Sequence, residues 1–350
     1  MSNKFRNARM IYMDAAASAL KPESVIEAEV DFLSNHYANA GRGVCARAGR
    51  VDDMVNETRK AVADFIGAKE SDQIIWTSNA TDGLNRIART LAGKTVIVSD
   101  IDHHSARLPF EKHCKTVVAP LTANLDYDWD KIKNIKADAI VITAMSNVMG
   151  TKQKIPNPGL ITIVDASQYI VYEKVDVARD NIDYLVFSGH KIGADTGLGV
   201  LYQKNPAEPV NFGGGMHNAA GAAKFEAGTL PLTQIAGLRA AIKELTANYD
   251  KSAALIKKLR AGLEKNPRLK FISPDDSHLL SFTVDGMHHL DFGTIMGARG
   301  ACIRVGNMCA SWIHNLLKIP GSCRISPGPW NTEEEVSKAV EIINDITDER

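Results

Sequence analysis

Tyr184-Leu-Val-Phe-Ser-Gly-His-Lys191 sets an apolar run against a small polar turn that ends on a lysine. A run this short, bounded by Ser and Gly, reads as a strand buried on both faces. Gln73-Ile-Ile-Trp-Thr77, Thr95-Val-Ile-Val-Ser99, Ala139-Ile-Val-Ile-Thr143 and Leu160-Ile-Thr-Ile-Val164 have the same texture, and helical patterns separate several of them. Strands covered on both faces and joined through helices imply a mainly parallel sheet, whose ligands collect at the carboxyl ends of the strands. Ser78-Asn-Ala-Thr81, Ser99-Asp-Ile-Asp-His-His104, Ser146-Asn147, Asp165-Ala-Ser-Gln168 and Ser188-Gly-His-Lys191 each come just after such a run, so polar chemistry converges on one edge.

Outward from this core, Pro22 to His36 and Val51 to Ile66 carry helical patterns. After about Leu245 the texture changes to long helices, Tyr249 to Glu264 and Thr332 to Thr347. These flank the runs Leu279 to Val284, Ala301-Cys-Ile-Arg304 and Cys323-Arg-Ile325, which predicts a smaller α+β domain. The expected division is a large α/β domain over 15–246, with 1–14 and 247–350 forming the small one.

A chain of 350 residues, 45% hydrophobic, buries a large core without disulfide or metal staples. Lys plus Arg and Asp plus Glu stand at 41 each, so no global field favours nucleic acid or an anionic membrane, and the expected ligand is small. Met1 to Met10 is polar and basic without the apolar core of a secretory signal, and no run approaches the roughly 20 apolar residues of a membrane span. The expected location is the cytoplasm. Cys45, Cys114, Cys302, Cys309 and Cys323 are scattered, odd in number and free of any C-x-x-C pair, which argues for free thiols and no metal site.

Desolvation at a strand end lowers a lysine pKa and exposes the neutral amine that attacks an aldehyde, the chemistry open to Lys191. Alone, such a lysine is a solvated surface charge. Asp165 ends an apolar run with a carboxylate, which beside a pyridine nitrogen keeps that nitrogen protonated; alone, it is a helix N-cap. Gln168 is placed to donate to a phenolic oxygen on the same ring. Ser78 to Gly83, between a strand and the helical pattern Leu84 to Leu91, offers free N–H groups to a phosphate, although Asp82 opposes an anion unless it points away. One imidazole of His103 and His104 suits stacking on a flat cofactor, and spacing does not separate the two. Arg304 and Arg324 leave short apolar runs as candidates for a substrate carboxylate. Cys309 lies on an apparent loop before the helical stretch Ser311 to Leu317, where a thiol tends toward thiolate, while Cys302 reads as an inert core residue.

Taken together, Ile11 to Ser18, Ser78 to Asn85, Asp102-His-His104, Ser146 to Gly150, Asp165 to Gln168, Phe187 to Lys191, Phe225-Glu-Ala-Gly-Thr229 and Arg304 to Thr332 resemble the class V branch of the fold-type I pyridoxal-phosphate enzymes. Within it the resemblance is to the group II, SUF-type cysteine desulfurases. It implies a seven-stranded, mainly parallel sheet in the large domain, pyridoxal 5'-phosphate as cofactor and no metal. It implies Lys191 as the Schiff-base lysine, Asp165 at the pyridine nitrogen, Gln168 at the phenolic oxygen and His103 stacked on the ring. Ala80, Thr81, Ser188 and His190 are implied at the phosphate, Asn147 and Arg324 at the substrate carboxylate, and Thr229 at the phosphate of the neighbouring subunit in a homodimer with shared active sites. Cys309 corresponds to the cysteine that takes sulfur from L-cysteine as a persulfide, for a sulfur-acceptor protein or iron-sulfur cluster assembly.

The chain departs from that pattern at Gly41-Arg-Gly43, at Ala194-Asp-Thr196, at Asn307-Met308 before the nucleophile and in the short segment 215–224. Two other readings share the fold: a selenocysteine lyase or other class V lyase or aminotransferase, and a non-catalytic scaffold in sulfur assembly.

Overall fold

The computed structural model describes residues 10–41, 43–216 and 218–348. The stretch before Met10, Arg42 of the first departure and His217 of the short segment lie outside the described residues. The chain divides into two units, one of Met1–Leu20, Asn147–Thr151 and Asn248–Arg350, the other of Lys21–Ser146 and Lys152–Ala247.

After β1 (Ile11–Tyr12), the larger unit runs α1 (Glu23–Asp31), α2 (Ala46–Ile66), β2 (Ile74–Thr77), α3 (Ala80–Thr90), β3 (Thr95–Val98), α4 (His104–His113), β4 (Lys115–Val118) and α5 (Trp129–Ile132). It continues with β5 (Ala139–Thr143), β6 (Ile161–Asp165), β7 (Tyr184–Ser188), β8 (Gly199–Gln203) and α6 (Leu232–Ala247). Seven strands form one sheet in the order β2-β8-β7-β6-β5-β3-β4. The pairs from β7 across to β4 are parallel, and β8 alone runs antiparallel to both neighbours. The seven-stranded, mainly parallel α/β sheet expected above is therefore present.

The pattern behind it is simple burial: all five residues of β5 are buried, and so are four of five in β6 and in β7. At roughly 1.5–3 kcal/mol for each fully buried large aliphatic side chain, these central strands have no alternative solvent-facing arrangement. Helix α3 packs Leu84, Ile87 and Ala88 onto one face, and it approaches so closely that a Cβ at Gly83 would lie 2.8 Å from Val186 Cγ1. That closeness sets the helix N-terminus beside the ends of β7 and β8.

The smaller unit continues with α7 (Tyr249–Leu263), β9 (Leu269–Phe271), β10 (Leu280–Val284), α8 (His289–Ala298), β11 (Ala301–Cys302), β12 (Arg304–Gly306), α9 (Ser311–Leu316), β13 (Ser322–Ile325) and α10 (Glu333–Asp348). Its four-stranded antiparallel sheet has the order β12-β13-β10-β9, over a core that includes Leu259, Phe282, Phe292 and Ile343. The run Ala301 to Arg304 is not one strand. Its first two residues pair in parallel with β1, and from Arg304 the chain pairs with β13.

Candidate active site

In the larger unit several polar residues at the strand ends are held by hydrogen bonds. Asn79 caps α3 by accepting the Asp82 N–H at 2.9 Å, and the Ala80 N–H reaches Ser188 Oγ at 2.9 Å, joining the helix N-terminus to the end of β7. A Cβ at Gly199 would stand 2.5 Å from Asn79 Cα, so only glycine admits this approach of β8 to the turn. Asp82 does not oppose an anion there, because both its oxygens pair with Arg86, at 3.0 and 2.8 Å.

Lys191 ends the 3-10 turn Gly189–Lys191 directly after β7 and is half-buried, with His190 beside it. Burial, then Lys191 and Lys21, push the His190 ring down to about 4, so it acts as a neutral hydrogen-bonding group at neutral pH. The following loop departs from the family pattern at Asp195, whose carboxylate pairs with Lys21 at 3.0 Å and accepts the Thr196 N–H at 2.9 Å.

Asp165 closes β6 and accepts the Ser167 N–H at 3.0 Å. Asp165, Ser167 and Gln168 are all more than nine-tenths buried, and Ser167 Oγ has no hydrogen-bond partner. Buried polar groups are normally satisfied, so this cluster fits a polar ligand and supplies the chemistry expected around a pyridine ring. His103 caps α4, its Nδ1 accepting the Ser105 N–H at 3.2 Å and lying 2.7 Å from Ser105 Oγ, which leaves Nε2 as the ring N–H. His104 is the first helical residue. Their adjacent positions, inseparable by spacing, thus differ in structure.

Sequence reasoning passed over the residue before them. Asp102 is fully buried, accepting from Ser99 N and Thr143 Oγ1, each at 2.7 Å, and Thr143 is the register partner of Asp165. Burial, reinforced by Asp165, raises its carboxyl to about 7 although the two hydrogen bonds oppose the rise. The Phe225 to Thr229 stretch is likewise anchored by a pair that sequence does not advertise. Glu226 takes two guanidinium bonds from buried Arg59, at 2.8 and 3.0 Å, and the Trp76 N–H at 2.8 Å. Thr229 itself is exposed, just after the left-handed Gly228.

In the smaller unit Arg324 is 2% exposed, donating to Asn147 O at 2.8 Å and to Asp14 Oδ1 at 2.9 Å. Arg304 is its cross-strand partner, half-exposed and 3.9 Å from Asp14 Oδ2. Asp14 is thus the buried counter-ion to two arginines, and the only hint of it in the sequence is its place at the end of Ile11-Tyr-Met-Asp14. Asn147 Nδ2 donates to Met308 O at 2.7 Å, while Asn147 Oδ1 is buried without a partner.

Cys309 is exposed at the tip of a turn closed by Ala310 N to Asn307 O at 2.8 Å, with Met308 and Cys309 both left-handed at φ 51° and 55°. The other thiols differ. Cys323 is buried and pushed up to about 12, and desolvation also raises Cys302 and Cys114. Cys45 is exposed, and the Ala48 and then the Arg47 backbone N–H at the start of α2 lower its thiol. All five are free, and no His, Cys, Asp or Glu group among the described residues is arranged to hold a metal. No helix among them is long and apolar enough to cross a membrane.

Residues 11–339 match the family model of class-V aminotransferases. The chain is 30% identical to a probable cysteine desulfurase of Vibrio cholerae, over 97% of this chain and 94% of that one. It is 31% identical to the cysteine desulfurase CsdA of Escherichia coli, over 95% and 93%. The crystal structure of CsdA in an S-sulfonic acid form superposes with a TM-score of 0.87, at 30% identity over 97% of this chain and 95% of that one. The apo structure of a cysteine desulfurase from Thermococcus onnurineus gives 0.92, at 27% identity over 97% and 95%.

Proposed function

The chain belongs to the class-V aminotransferase family, and from that premise we propose that it is a pyridoxal-phosphate-dependent cysteine desulfurase that moves the sulfur of L-cysteine to Cys309 and releases L-alanine. The observation that carries the sulfur step is the exposed Cys309 thiol on a turn whose Met308 carbonyl is held by Asn147, next to the buried Arg324.

Pyridoxal phosphate, when bound, supplies an electron sink for the pair of electrons released at the amino acid's carbon. Ala80, Thr81, Ser188 and His190 would hold its phosphate, with Thr229 of a second subunit completing the set in a homodimer. Asp165 would keep the ring nitrogen protonated, Gln168 would donate to the phenolic oxygen, and His103 would lie against the ring. Lys191 Nζ would bind the aldehyde carbon and then carry protons to and from the substrate.

Arg324 presents a guanidinium whose orientation Asp14 and Asn147 O already fix, which suits it to a carboxylate. Asn147, with Arg304 at the exposed edge, would complete that contact. Cys309 Sγ, as thiolate, attacks the sulfur of cysteine: an S–S bond forms, the substrate C–S bond breaks, and its electron pair stays with carbon until a proton yields alanine. The persulfide is then open to an acceptor protein, a reaction for which the cytoplasm, where thiols stay reduced, is the fitting compartment.

Mass spectrometry after L-cysteine treatment tests this reading. It requires one added sulfur on Cys309 together with alanine in solution. Alanine without sulfur on Cys309 points to the selenocysteine lyase type, and neither product from a cofactor-loaded protein points to the scaffold.

A further inference from the structure

Two consecutive left-handed residues that are not glycine do not hold themselves in place; such a turn persists only when its surroundings over-determine it. Met308 and Cys309 are in this position, and two outside bonds grip the turn. One is the Asn147 bond to Met308 O. The other comes from His314, which lies within α9 one turn beyond the nucleophile. Its Nδ1 meets Ala310 O at 2.9 Å and its Nε2 meets Ser322 Oγ at 3.0 Å.

His314 is 2% exposed, and Ser322 is fully buried. A carbonyl oxygen only accepts, so Nδ1 carries the hydrogen, and Nε2 therefore accepts from the Ser322 hydroxyl. Burial lowers the ring's pKa, in keeping with a neutral imidazole locked in one tautomer. Ser322 faces Gly306 across the β12–β13 pair, and Arg324 lies two residues further along β13. The imidazole thus ties the exit of the Cys309 turn to the strand that flanks its entrance and carries the buried arginine.

We infer that His314 is a positioning residue for Cys309, bracing the nucleophile's turn through Ala310 O while Ser322 fixes the tautomer that makes this bond. The inference rests on Cys309 as the sulfur acceptor, and it assigns His314 no contact with substrate.

The test compares His314→Leu, which keeps volume and removes the donor, with His314→Asn, whose amide N–H can stand in for Nδ1 toward Ala310 O. Alanine release is measured alongside the rate at which iodoacetamide alkylates Cys309, with exposed Cys45 as the internal control. Because misplacement of a reacting group by about 1 Å costs up to about a hundredfold, His314→Leu is expected to lower kcat about tenfold or more with KM nearly unchanged. Cys309 alkylation rises in the same variant while Cys45 alkylation holds, and His314→Asn recovers most of kcat. Ser322→Ala leaves the helix and turn in place and shifts both readouts in the same direction by a smaller factor, which decides the matter if His314→Leu does not fold.

Equal kcat and equal Cys309 alkylation across these variants overturn the inference. So does a loss confined to KM, or a His314→Asn variant no better than His314→Leu. If the wild-type protein releases no alanine, the desulfurase reading fails, and the alkylation comparison still decides whether His314 braces the turn.

Discussion

The larger unit gathers its polar residues at the ends of strands that are buried on both faces, whereas the smaller unit presents the proposed nucleophile, Cys309, on a four-residue turn held by side-chain bonds. The first arrangement takes its rigidity from the sheet: Asp165, Ser188 and Lys191 go where β6 and β7 end, and moving them would mean moving the sheet. The second takes its rigidity from Asn147 and His314 against unfavourable backbone geometry at Met308 and Cys309. The first suits the cofactor proposed above, which must not move, and the second suits the role proposed for Cys309, collecting sulfur and handing it on.

The largest expected effects separate the two regions cleanly. Lys191→Ala should abolish the visible absorbance of the bound cofactor and lower alanine release by about 10²- to 10⁴-fold, read by spectrum and by amino-acid analysis. An unchanged spectrum would remove Lys191 from the cofactor. Cys309→Ser should leave that spectrum intact and still lower alanine release from L-cysteine by at least about 10²-fold. Turnover that survives in Cys309→Ser breaks the comparison, because the turn would then have no part in the chemistry.

The same contrast governs what could be read from the sequence. Runs such as Ala139 to Thr143 announce buried strands because every residue in them is apolar or small, and the sites follow once the strands are placed. The edge strand β4, Lys115-Thr-Val-Val118, escapes that reading since three of its four residues are exposed and nothing forces an apolar run. Helix α2 begins five residues before the expected Val51, because its first turn, Ala46-Arg-Ala-Gly49, buries only the small Ala48 and holds no large apolar residue to set a period. Asp14 and Arg324 are 310 positions apart, and only the fold pairs them. Nor does Met308-Cys309 signal a left-handed turn, which sequence normally marks with Gly or Asn.

Asp102 offers an intermediate effect within the rigid region. Its carboxyl stands at about 7 in the folded chain, chiefly through burial, against 3.8 ordinarily. Between those values the folded chain keeps a proton that the unfolded chain has released, so stability falls as pH rises through that window and levels off above it. Asp102→Asn removes this fall, so its thermal denaturation midpoint should drop less than the wild type's between pH 4 and pH 7. The difference corresponds to a few kcal/mol at most, at about 1.4 kcal/mol per pKa unit. Parallel pH profiles for the two proteins would show that Asp102 is charged throughout, and that Thr143 and Ser99 outweigh its desolvation.

The smallest effect tests whether left-handed geometry in the smaller unit is functional wherever it occurs. Lys318 follows α9 at φ 56°, the conformation shared by Met308 and Cys309, but its side chain is exposed and its N–H merely closes the helix on Asn315 O at 3.1 Å. A left-handed residue after a helix is ordinarily glycine, so Lys318→Gly relieves about 1 kcal/mol of backbone strain and gives part of it back through the looser unfolded chain. The expected result is a gain of about 0.5 kcal/mol in denaturant unfolding with alanine release unchanged. Met308 differs in being buried and in lending its carbonyl to Asn147, so relief of strain there also removes packing and loosens the grip on Cys309. If Lys318→Gly slowed alanine release as well, strain beyond the nucleophile's own turn would contribute to holding Cys309, and the brace would extend through α9 rather than end at His314.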